Sequence, residues 1–168
     1  MQTEPYLPYR EHLKIIRREL EHELSRFPIN RCMESCWITY FLLPLGVKAG
    51  YFWDNETKTP HFHVWNHDPI RSLDICLTLD QFDNPERKMQ PITITPSNRS
   101  IFVQDEFAEE LVHKVNPFKD KKYRKWLLEK AKRISEKLPL ARFPSSHSQV
   151  SPLFDIPTKV PPYKNKPQ

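Results

Sequence analysis

Three segments of the chain carry side chains capable of covalent chemistry, and each stands at the boundary of an element. Cys32 opens an apolar run, His61 and His63 alternate along His61-Phe62-His63-Val64-Trp65-Asn66, and Asp74, Cys76, Thr78 and Asp80 follow two apart in Ser72 to Phe82. Thiol, imidazole and carboxylate are the parts of a Cys-His-Asp site, in which the thiolate attacks, the imidazole moves the proton and the acid orients the imidazole. A cysteine at a helix start meets unpaired N–H groups and the positive end of the helix dipole, which lowers its pKa. Cys32 has that place and Cys36, one turn deeper, does not. The same atoms allow a rival use: Cys32 and Cys36 at i, i+4 and His61 and His63 on one strand face number the four ligands of a tetrahedral zinc site. Neither Cys-x3-Cys nor His-x-His is flanked here by knuckle turns. The plainest reading of Cys32 alone is a buried structural thiol.

The elements that must position these groups follow from periodicity. Leu13, Ile16, Leu20, Leu24 and Phe27 predict a helix over Arg10 to Phe27, ended by Pro28, and Met33 to Leu43 is apolar on nearly every side, as a short core helix would be. Trp37, Tyr40 and Phe41 read as core; Trp53 and Trp65 read as core or as walls of a substrate groove. Five β-prone runs follow, Val47 to Trp53, Pro60 to Asn66, Ile70 to Asp80, Ile92 to Thr95 and Ser100 to Val103, separated by Asp, Asn, Pro and Ser clusters. They predict an antiparallel sheet. A helical period through Phe107, Leu111 and Val115 comes next, then a basic helix with Tyr123, Trp126, Leu127, Ile134 and Leu138 inward.

The stretch Asn30 to Gly50, with Cys32, Ser35, Cys36, an apolar helix and Leu45-Gly46-Val47, resembles the nucleophile helix of the transglutaminase-like branch of papain-like cysteine enzymes. His63-Val64-Trp65 is similar to their histidine strand. Thr78, Gln81 and Phe82 match a strand of the form Asp-apolar-Thr-x-x-Gln-Phe that carries their acid. The likeness spans about half the chain, Asn30 to Val103, and departs at one position: Cys76 stands where the aspartate is expected. Asp74 lies one pleat earlier on the same face and Asp80 further along, so Asp74 is the expected acid, reached through a shifted register or a bulge. The resemblance implies an α+β fold, an antiparallel sheet packed on a buried central helix. It also implies cysteine-dependent acyl transfer: Cys32 attacks an amide carbonyl, His63 hands a proton to the leaving amine, Asp74 orients the ring, and backbone N–H groups near Cys32 hold the oxyanion. The expected product is a deamidated glutamine side chain or a related hydrolysed amide, formed through a thioester. A cysteine peptidase or transamidase is the near alternative. A non-catalytic protein-binding module on the same fold is the distant one, and Cys76 speaks for it.

Composition bounds these readings. The 168 residues suit one domain, residues 1–138, followed by a tail, 139–168, with seven prolines. Only 2 glycines, against 17 prolines, exclude glycine-rich phosphate loops and dinucleotide fingerprints. No run of 18 apolar residues predicts a membrane span, and the acidic, proline-containing start lacks the pattern of a signal peptide. Three cysteines suggest reduced thiols and a cytoplasmic protein. No cofactor is implied. The net charge of +5 is concentrated in Lys119 to Lys137, where nine basic residues face three acidic ones. That helix is a solvated face or a dock for an acidic partner; no recognised nucleic-acid motif accompanies it. A protein or peptide substrate is expected beside it.

Overall fold

The computed structural model describes residues 7–139, so all of the expected tail except Pro139 lies outside the described residues. Leu13, Ile16 and Leu20 recur at helical spacing and are fully buried along one side of α1 (Arg10–Glu23). The helix stops short of the expected Phe27 because Leu24 is already extended and Arg26 takes φ 62°, a left-handed conformation that ends helical propagation. The second helix, α2 (Cys32–Leu42), is buried almost all round, as its composition predicts. Asp120 caps α4 (Lys121–Ser135) by accepting from the Lys122 and Tyr123 N–H groups, and Asp105 caps α3 (Glu106–Lys114) through Ala108 N–H.

The strands are β1 (Gly46–Asp54), β2 (Thr59–Asp68), β3 (Leu73–Cys76), β4 (Thr93–Pro96) and β5 (Phe102–Gln104). They form one antiparallel sheet in the order β4-β3-β2-β1-β5. The architecture is therefore α+β. Gly50 lies where β1 meets β5, and a Cβ there would come within 1.9 Å of the Val103 carbonyl oxygen, so only glycine permits the pairing.

Strand alternation divides the interior in two. Ala49, Val64 and Ile75 join the cores of α1, α2 and α4 on one face. Phe52, Trp65, Cys76, Leu79 and Phe102 form a smaller aromatic cluster on the other, against which Phe82 and Met89 pack. Asn66 ties the first face together by donating to the carbonyls of Cys36 and Gly46.

Other elements also depart from the sequence reading. The single run Ile70 to Asp80 is a four-residue strand followed by a 3-10 turn, Leu79–Phe82. Asp68 accepts from the Ile70 and Arg71 N–H groups and Ser72 takes φ 52°, which delays the strand; beyond Cys76 the Gln81 N–H turns back onto the Thr78 carbonyl. On α3 the apolar period through Phe107, Leu111 and Val115 is exposed, while Ala108 and Val112 face the core. On α4, Trp126 is 39% exposed and Leu127, Ala131 and Ile134 carry the packing. Of the two uncertain tryptophans, Trp65 is core, whereas Trp53 stands with Ile101 and Val103 along an open groove of about 490 Å³. Among the described residues no helix is long and apolar enough to cross a membrane.

Candidate functional site

Cys32 is the first residue of α2, as the sequence predicts, and its thiol is buried. Burial pushes it up to about 11, and hydrogen bonds from the backbone of Val64, Met33 and Cys32 itself offset that only in part. The helix terminus favours a thiolate by a small margin, whereas desolvation of a charged sulfur in a nearly closed pocket costs more. Burial also raises Cys36, deeper in the core, well above the ordinary thiol value.

His63 is fully buried in the aromatic cluster, stacked on Phe102 at 5.4 Å and edge-on to Phe82 at 5.5 Å. Burial lowers its pKa to about 3, because the imidazolium would have to leave water for a hydrocarbon-lined site. Its Nε2 lies 3.0 Å from Cys76 Sγ and its Nδ1 lies 3.3 Å from the Gln81 amide nitrogen. With the Gln81 N–H donating to Nδ1, the neutral ring carries its proton on Nε2 and donates it to Cys76 sulfur. That sulfur also accepts from Thr78 N–H at 3.4 Å, and its own S–H faces Thr78 Oγ1 at 3.8 Å. Burial raises the Cys76 thiol to about 12. The network is closed and uncharged.

Asp74 does not join it. Its Oδ1 accepts from His67 Nδ1 at 2.9 Å and from Ser97 Oγ at 3.1 Å. The register is the reason: Asp74 is directly opposite His67 and Asn66 opposite Ile75, so the ladder runs out before His63. Four residues of strand separate His63 from His67, about 13 Å. Cys76, diagonal to His63, is the side chain that reaches it. Asp80 is committed as well, 2.5 Å from the buried Arg17 guanidinium of α1; burial raises its carboxyl and Arg17 partly opposes that.

Among the described residues no hydrogen bond joins Cys32 to His63. Val64, whose backbone bonds the Cys32 sulfur, and His63 are neighbours on β2, but alternation turns their side chains to opposite faces. Nor is the zinc set assembled: no group of three or more His, Cys, Asp or Glu among the described residues is placed to hold a metal ion. His61 instead bonds Thr59 and stands 3.8 Å from Asp54.

Sequence reasoning placed Gln81 in a pattern without giving it a role at the imidazole, and it missed Arg17 altogether. The Gln81-Phe82 pair after Thr78 was the available signal for the first; an arginine inside an otherwise amphipathic helix gave none for the second. No protein-family model matches the chain, and no curated protein and no solved structure matches it.

Proposed function

We propose that the protein is a non-catalytic binding module on a scaffold resembling the transglutaminase-like branch of papain-like enzymes, its thiol-imidazole site kept as a neutral packing network. One observation carries this reading: both nitrogens of the fully buried His63 are occupied, by Cys76 and Gln81, and among the described residues no carboxylate is its partner. A general base of pKa about 3 is unprotonated at neutral pH but too weak to draw a proton from a thiol of pKa about 11. Cys76 at the acid position supplies neither the charge nor the acceptor strength that would stabilise an imidazolium.

A second reading, cysteine-dependent acyl transfer on a glutamine side chain or related amide, is favoured by Cys32 at the first residue of α2 with backbone hydrogen bonds at its sulfur. Iodoacetamide at pH 7, read by peptide mass spectrometry, separates the two. The module predicts that Cys32 reacts about 100-fold more slowly in the native protein than in urea, because burial raises its pKa from the ordinary 9.0 to about 11 and lowers its thiolate fraction by about two powers of ten. Selective, stoichiometric labelling of native Cys32, faster than in urea, would overturn it in favour of the enzyme.

A further inference from the structure

The basic helix α4 is not uniformly available. Glu23 of α1 neutralises two of its cations: it accepts from Arg133 Nη2 at 2.7 Å, and Lys130 Nζ lies 3.6 Å from its carboxylate while also donating to the Glu23 carbonyl. Lys121, Arg124 and Lys132 have no carboxylate partner among the described residues, and Lys125, 81% exposed, is 4.0 Å from Glu129. These four cations share one side of the helix. Together with Leu128 and Glu129 they line a shallow groove of about 390 Å³. Positions 121, 124, 125, 128 and 132 follow helical spacing, so the stripe runs about 16 Å along the axis.

We propose that this groove docks an acidic polypeptide segment with one apolar residue at its centre. The proposal rests on the reading of the protein as a binding module and names the partner class for it. The pattern of charge argues for carboxylates rather than for a nucleic-acid backbone. Leu128, half-buried, offers an apolar floor between the cations, which suits a leucine-sized anchor flanked by Asp or Glu. Glu129 on the rim and Glu23 beside the helix confine the positive potential to one narrow stripe, which fits a single polypeptide segment laid along the helix better than a duplex laid across it. Carboxylates one helical turn apart match Lys121 and Lys125, about 6 Å along the axis, and carboxylates two turns apart match Lys125 and Lys132, about 10 Å.

The test uses the full chain and fluorescence anisotropy at low and physiological salt. The probes are a labelled twelve-residue Asp/Glu peptide with a central leucine, the same peptide with serine at that position, and a labelled DNA duplex. The leucine peptide should bind, weaken with salt and lose at least about tenfold in affinity with Lys121→Glu/Lys125→Glu/Lys132→Glu. The serine peptide should bind more weakly, and the duplex more weakly still. Lys14→Glu/Lys58→Glu/Lys88→Glu, the same charge change on other exposed lysines, should alter affinity by less than about twofold; circular dichroism checks that both variants fold. Absence of peptide binding at low salt would overturn the proposal, as would equal loss in the two triple variants, tighter binding of the duplex, or self-association abolished by the groove variant. The alkylation result is independent of all these outcomes, so failure of the groove and failure of the module reading are distinguishable.

Discussion

His63 and His67 stand on the same face of one strand, two pleats apart, and their surroundings differ in kind. His67 is partly exposed and shares Asp74 with Ser97. His63 is sealed among Phe82 and Phe102 with a thiol and an amide for partners. One end of the β2 and β3 pair is thus a polar, carboxylate-bearing rim, and the other is a dry network without charge. The residue types required for a triad are all present in the neighbourhood. What the difference teaches is that a catalytic triad depends on which imidazole receives the carboxylate, and here the acid goes to the histidine that has no thiol partner.

The largest effect expected from this contrast is acid lability at the dry end. The folded His63 pKa of about 3 lies below its ordinary value of 6.5, so the unfolded chain binds an extra proton between those limits. The contribution is fully present above pH 6.5 and is lost as the pH falls, at about 1.4 kcal/mol per unit, or about 2 kcal/mol by pH 5. Urea midpoints at pH 7, 6 and 5 measure it. His63→Asn, which cannot gain that proton, should be less stable at pH 7 and should flatten the slope in this window; an unchanged slope would mean that His63 is not held neutral by burial.

A smaller loss is expected at the rim. Asp74→Asn removes the charge that serves His67 and Ser97 and should cost about 1.5 kcal/mol in urea unfolding. It should leave the imidazole NMR resonances of His63 in place. Movement of those resonances would reconnect Asp74 with the buried ring and restore the triad expected from sequence.

The smallest effect belongs to Gln81. Gln81→Ala opens one hydrogen bond on the His63 ring and should cost about 1 kcal/mol, less than removing the ring itself. If Gln81→Ala instead destabilises as strongly as His63→Asn, the amide and not the aromatic packing holds the imidazole.

Much of the scaffold was legible in the residues. The apolar period of α1, the all-round apolar α2 and the β-prone runs of β1 and β2 each follow from local chemistry that survives folding. Other features were not. Phe107, Leu111 and Val115 make a helical stripe as regular as that of α1, yet they point outward, because Ala108 and Val112 allow α3 to approach β1 more closely than bulky side chains would. Local spacing reports that a stripe exists and is silent on which face finds a partner.

The site divides in the same way. The sequence by itself determined that Cys32 begins a helix, that His63 and Trp65 share a strand face, and that Asp74 and Cys76 stand two apart on one face of the next strand. Only the tertiary structure decided that Asp74 meets His67, that Asp80 is drawn to Arg17, and that Gln81 completes the shell of His63. It also reversed the expected charge state of the thiol. The dipole that lowers a cysteine pKa is a property of one helix end and can be read from a few residues. The desolvation that raises it is the work of every element packed around the sulfur, from Val64 on the sheet to the core of α2, and no single segment of the chain contains it.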